Sequence, residues 1–248
     1  MELIDLFEEM NKRKLSIQQT IQNEFIRIKN LLDKVPTRME LFTYMDEDIY
    51  NLCLSNSKEN PFRNYLGFLK NEGLLTGEEL QIQDSIAGDF LVELERTSMT
   101  RSYKMPVLYS FISEDKIKKE VSESLVLNKW KEFFAKNKNW KDLPKVSSYQ
   151  DYIKITDKAH LDNIKKNPVN FLKQSSADFF VSSDTGLIAL CDNLIPFLEN
   201  PIFVAQVKDI IDYRTIHYYS MKYRDNHRLP VEYKIPEQGY LKVADSGN

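Results

Sequence analysis

Ile17, Ile21, Phe25, Ile28 and Leu32 recur at steps of three and four, so the spacing predicts one long amphipathic helix ended by Pro36. Thr37-Arg38-Met39-Glu40 then has the form of a capping box, with a short helix through Leu41 and Tyr44 to follow. Asp46 suits the cap of the next helix, carrying Ile49, Leu52 and Cys53. Asn60-Pro61 reads as an N-cap and a first-turn proline, opening a helix with Phe62, Tyr65, Leu66 and Leu69 inward and Gly73 as its stop. A second capping box, Thr76-Gly77-Glu78-Glu79, starts a helix bearing Leu80, Ile86, Phe90, Leu91 and Leu94. The front 96 residues therefore read as a bundle of about five helices.

Beyond Thr97 the pattern changes. Pro106 suits the first turn of a helix through Leu108 and Ile112, and Ile117 to Val121 is a candidate strand. Ser122 suits the cap of a helix with Leu125, Leu127, Trp130, Phe133 and Phe134 inward and Lys129, Lys131, Lys136 and Lys138 outward. Residues 139–156 are polar and irregular, which suggests a loop or short connector. Helical signal returns at Leu161 and Ile164, with Pro168 opening a further turn through Phe171 and Leu172. Phe179-Phe180-Val181, the polar turn Ser182 to Gly186 and Leu187 to Leu190 make a β-hairpin. Pro201 begins a last long helix with Phe203, Val207, Ile210 and Ile211, leading to Tyr213, Tyr218, Tyr219 and Tyr223. The expected fold is mainly α: a helical bundle (1–96), a winged-helix-like α+β module with one hairpin and a long C-terminal helix (97–227), and an extended tail (228–248).

Charge adds an asymmetry to this plan. Residues 1–96 carry 11 basic and 18 acidic side chains, residues 97–141 carry 10 and 5, and the remainder 13 and 14. A basic middle in an acidic chain is the pattern of a phosphate-facing surface, and equally of a solvated lysine face. Arg101 and Lys104 stand just before a helix start, where side chains and backbone amides converge on a phosphate; Lys118, Lys119, Lys129 and Lys131 would extend the surface. These six are the candidate DNA-binding residues. In the bland reading Tyr103, Tyr109, Trp130 and Phe134 are core aromatics and the lysines only solubilise the chain.

Chemistry beyond binding finds little support. The chain has no Gly-x-x-x-x-Gly-Lys-Ser/Thr loop, no Gly-x-Gly-x-x-Gly and no Gly-x-Ser-x-Gly turn, and His160, His217 and His227 have no partner at metal-ligand spacing. No catalytic residue, metal or cofactor is expected. A nuclease-like fragment, Asp225 with Glu232 and Lys234, lies in the tail, where chance explains it better. Cys53 and Cys191 are far apart and read as reduced. No apolar run reaches membrane-spanning length and the N-terminus is acidic, so a cytoplasmic protein without membrane contact is expected.

Three segments carry a family resemblance: Val35-Pro36-Thr37-Arg38-Met39-Glu40-Leu41-Phe42-Thr43-Tyr44-Met45-Asp46, Asn60-Pro61-Phe62-Arg63-Asn64-Tyr65-Leu66-Gly67-Phe68-Leu69 and Thr97-Ser98-Met99-Thr100-Arg101-Ser102-Tyr103-Lys104-Met105-Pro106-Val107-Leu108. Together they resemble the C-terminal region of bacterial DEAD/DEAH-box helicases of superfamily two, which often carry a phospholipase-D-like nuclease domain and are associated with restriction or phage defence. The ATP-binding, DEAD-type and nuclease motifs of that family are not in this sequence, so no catalytic role transfers. The resemblance implies a C-terminal piece of such an enzyme or a stand-alone relative of its accessory region, with duplex or forked DNA, and helicase or nuclease domains in cis or in trans, as partners. The leading expectation is a noncatalytic DNA-contacting accessory domain. The alternatives are a protein-interaction module docking through the acidic bundle and the Tyr213–Tyr223 helix, and a divergent metal-dependent nuclease.

Overall fold

The computed structural model describes residues 16–223. Asp225, His227, Glu232, Lys234 and the expected tail lie outside the described residues.

Side-chain caps set most of the front helices. Helix α1 (Ile17–Leu32) starts at a Ser16/Gln19 capping box and buries Ile21, Phe25 and Ile28. It stops before Pro36 is reached, because Asp33 turns left-handed (φ 52°) and returns its N–H to the Lys29 carbonyl. Thr37 and Asp46 cap α2 (Arg38–Tyr44) and α3 (Glu47–Ser55) as the spacing predicts. Asn60-Pro61 opens only a single 3-10 turn (Pro61–Arg63), because Asn64 caps afresh at α4 (Tyr65–Asn71). Gly73, at φ 68°, closes that segment.

The helix expected from Thr76 to Leu94 is two helices, α5 (Gly77–Gln83) and α6 (Ile86–Arg96). Ser85 caps the second, and at Gly88 a Cβ would collide with the Gln83 carbonyl. The front segment thus holds six α-helices among the described residues rather than five.

The rest of the chain forms α7 (Lys104–Phe111), β1 (Glu120–Val121), α8 (Glu123–Ala135), α9 (Tyr149–Ile153), α10 (Asp157–Ile164), α11 (Asn170–Ser175), β2 (Phe180–Val181), β3 (Ile188–Leu190) and α12 (Pro201–Tyr223). The candidate strand from Ile117 shrinks to β1, with Ile117 making only a bridge to Ile112. The stretch read as irregular contains a 3-10 turn (Asn139–Asp142) and α9, which a Ser148/Asp151 capping box starts. Pro168 opens no new turn. It sits inside a π-turn (Lys165–Val169) that joins α10 to α11, so residues 157–175 are one continuous helical rod.

The three strands pair antiparallel in the order β1-β3-β2, with Val121 opposite Ile188 and Phe180 opposite Leu190. The fold is mainly α, and the succession α7, β1, α8, α9, rod, β2, β3 is a winged-helix order with the short helix α9 inserted before the rod. Trp130, fully buried on α8, packs on Tyr103 and Phe134, and its Nε1 donates to His160 Nδ1 (3.1 Å), fastening α8 to the rod. No helix among the described residues is long and apolar enough to cross a membrane.

Helix α12 packs against α2, α5, α6 and α7. Its key contact is with Arg38, which is 0% exposed. The guanidinium donates from Nε to Glu95 Oε1 (2.8 Å) and from Nη1 to Asp209 Oδ2 (3.0 Å) and Gln206 Oε1 (2.6 Å), and it lies 4.7 Å from the Tyr65 ring centre. Asp209 also accepts the backbone N–H groups of Arg38 and Met39, and Glu95 that of Tyr65. Burial opposes the charged form of Arg38, but Glu95 and Asp209 outweigh it and raise the guanidinium above its ordinary value. Arg38→Met leaves Glu95 buried without its counter-charge and is expected to cost about 3–5 kcal/mol in urea unfolding, part of which Glu95→Gln restores in the double variant. Additive losses in that double-mutant cycle would show that the two do not act as a pair.

Candidate nucleic-acid interface

A cleft of about 1070 Å³ opens where the front bundle, the module and α12 meet. Arg63 follows the 3-10 turn and Arg96 ends α6; the Arg96 Nε donates to the Arg63 carbonyl (2.9 Å), which holds the two together. Arg101 enters from the segment before α7, and Lys141 and Lys145 from the loop after α8. Arg214 and Lys222 come from α12, about two turns apart, and both line the cleft.

Asp142 supplies the cleft's lone carboxylate among the described residues, and it is 3% exposed. Its Oδ2 accepts the Ser102 N–H (2.9 Å) and hydroxyl (2.6 Å), and its Oδ1 the Tyr218 hydroxyl (2.8 Å) and the Lys222 ammonium. Those bonds tie the segment before α7, the 3-10 turn and α12 into one wall. Arg101 is fixed to the same wall, with Nη1 donating to the Asp142 carbonyl (2.5 Å) and the Tyr103 hydroxyl (3.0 Å). Arg214 donates to the carbonyls of Glu95 (2.7 Å) and Thr97, joining α12 to the same segment.

Among the described residues, Arg63, Arg96, Arg101, Lys141 and Lys145 have no carboxylate within salt-bridge distance. The crowding registers in their neighbours. Burial and then Arg101 push the Lys222 ammonium down, and burial and then Arg214 push the His217 imidazole down to about 4. Lys104 is likewise lowered by burial, with Glu93 opposing and Arg214 adding to the shift. The cleft is a preformed field of positive charge, of the kind that concentrates anions.

Of the six residues expected to bind DNA, Arg101 lines this cleft. Lys104 is nearby but 9% exposed, its Nζ donating to Thr97 Oγ1 (2.8 Å). The other four are not brought to the cleft. Lys119 pairs with Asp192 (2.7 Å), Lys129 with Glu132 (3.1 Å) and Lys131 with Asp157 (2.7 Å), while Lys118, half-buried, precedes Lys119 ahead of β1. Sequence reasoning missed Arg63, Arg96, Lys141, Lys145, Arg214 and Lys222. Arg63 and Arg96 are hidden in the acidic segment, whereas Lys141 and Lys145, flanking a lone Asp142 in a polar stretch, offered a local signal.

Among the described residues no group of three or more His, Cys, Asp or Glu side chains is placed to hold a metal ion. No protein family, curated protein or solved structure matches the chain.

Two outcomes test this geometry. Asp142→Ala strands the Ser102 and Tyr218 donors and is expected to lower stability by about 2–3 kcal/mol; an unchanged urea midpoint would show that Asp142 is not the tie of this wall. The His217 Nδ1 lies 2.6 Å from the Tyr50 hydroxyl, and the folded state refuses a proton that the unfolded chain binds between about 4 and 6.5. Stability from this group is therefore complete above about 6.5 and is lost as pH falls through that window. Urea midpoints measured from pH 7 to pH 4 should drop less steeply for His217→Gln than for the parent; equal slopes would remove His217 from the account.

Proposed function

We propose that the chain is a noncatalytic DNA-contacting accessory domain of a helicase-type protein. The observation that carries this reading is the cleft, in which seven cations meet a single, internally satisfied carboxylate. A phosphate backbone entering it exchanges like-charge repulsion for charge-assisted hydrogen bonds. Four of the seven cations are arginines, whose planar fork suits bidentate contact with phosphate better than a lysine does. Such contacts hold the backbone and carry no sequence information themselves, so the affinity is salt-dependent and largely sequence-independent. Arg101 belongs both to the sequence-derived site and to the cleft; Lys104 supports it from below through Thr97. Lys118, Lys119, Lys129 and Lys131 are outlying contacts, with three of the four already paired.

The helicase half of the proposal rests on the resemblance of the segments at Val35–Asp46, Asn60–Leu69 and Thr97–Leu108. In the fold these segments converge: the first supplies Arg38, the second Tyr65 and Arg63, and the third Thr97 to Arg101. The motor or nuclease domains that would accompany this chain act in cis or in trans.

Fluorescence anisotropy with labelled duplex, forked and single-stranded DNA at two salt concentrations tests the reading. Arg96→Ala with Arg101→Ala is expected to weaken binding roughly tenfold and to flatten the slope of log K against log salt by about one unit for each phosphate no longer neutralised. An unchanged isotherm and salt slope, or no binding by the parent chain, would sink the proposal.

A further inference from the structure

The cleft continues past Arg101. Arg96, Thr97, Ser98, Thr100, Arg101 and Pro144 also rim a second cavity of about 720 Å³, whose far wall is the helical rod. On that wall Asn163, Asn167, Phe171 and Ser175 follow one another at steps of four, a single stripe along the rod. In the winged-helix order this rod holds the place of the helix that reads bases.

The stripe carries unused recognition chemistry. Phe171 is 52% exposed. Asn167 Nδ2 donates to Asn163 Oδ1 (2.6 Å), and among the described residues the Asn163 amide N–H groups and the Asn167 amide oxygen have no partner, a donor and an acceptor side by side. Glu93, which also lines the cavity, already accepts the Ser176 hydroxyl. A paired base hides its faces in the stack, so an exposed aromatic ring finds a base face only on an unpaired nucleotide. The stripe also looks across a cavity at the Arg96–Arg101 wall. It is one side of a channel, not a convex ridge of the kind that fits a major groove.

The geometry points to a single-stranded DNA channel running from the basic cleft into this second cavity, with phosphates on Arg96 and Arg101, a base stacked on Phe171 and its edge on Asn163 and Asn167. This inference rests on the DNA-contacting reading and narrows it to an unpaired strand. In anisotropy titrations of the full chain, Phe171→Ala should weaken single-stranded DNA binding roughly tenfold and leave duplex affinity unchanged. Phe171→Trp should retain the affinity, whereas Phe171→Leu, apolar but without a ring, should behave like the alanine variant. A 2-aminopurine in the oligonucleotide should be quenched by the parent chain and not by Phe171→Ala. If Phe171→Ala binds single strands as the parent does, or loses duplex binding in equal measure, the channel is wrong while the Arg96/Arg101 result still stands. If the parent chain binds neither form, both readings fall.

Discussion

The buried guanidinium of Arg38 is the constraint on which the rest of the structure depends. A charge taken wholly out of water is tolerated only when it is paired and hydrogen-bonded, and the partners that do this come from distant parts of the chain: Glu95 at the end of α6, and Gln206 and Asp209 on α12. Both carboxylates have a second duty, since Asp209 receives the first backbone amides of α2 and Glu95 that of α4. The long C-terminal helix cannot shift along the bundle without leaving these groups unpaired, so its register is fixed. From that register follow the positions of Arg214 and Lys222, and with them one side of the cleft.

Asp142 repeats the device at the other end. Its carboxylate is nearly as buried as Glu95 and likewise collects donors from separate segments. The difference lies in the surroundings. Around Arg38 one cation is enclosed by two carboxylates, whereas around Asp142 one carboxylate faces seven cations, and Lys222 and His217 are depressed first by burial and then by the neighbouring arginines. Two buried acid-base hubs built the same way thus serve different ends, the first closing a core and the second holding an unneutralised surface open. That contrast is why the cleft, rather than the lysine-rich face of α8, is the place to look for an anion.

Local chemistry was legible in the sequence where it acts over a few residues. The Thr37/Glu40 and Thr76/Glu79 boxes, the Ser122 cap, the hairpin at 179–190 and the start of α12 at Pro201 are all short-range, and each is in the fold. The misreadings came where a local rule met tertiary contact. Asn64 outcompeted Asn60 for the α4 cap, Ser85 and the tight approach at Gly88 split one expected helix, and Pro168 was absorbed by widening the rod into a π-turn. The site was less legible still, because counting charge along the chain cannot tell a free lysine from a paired one. Lys129 and Lys131 looked basic in sequence and are matched by Glu132 and Asp157 in space, while Arg63 and Arg96 were masked by the acidic bundle that contains them.

The placement of Pro168 bears on the channel itself. A proline in a helix interior removes one N–H and forces its ring against the preceding turn, so an uninterrupted α-helix from 157 to 175 would be strained there. Adding a residue to that turn relieves the clash and also rotates everything after it about the rod axis, since an α-turn takes 3.6 residues. Asn163 lies before the π-turn and Phe171 after it, yet both line the same cavity. In a regular α-helix, residues eight apart drift by about 80° around the axis. The wider turn cancels part of that drift and keeps the amide pair and the aromatic ring on one wall. The proline that sequence reading took for the opening of a new turn thus sits in the feature that aligns the stripe with the arginines opposite.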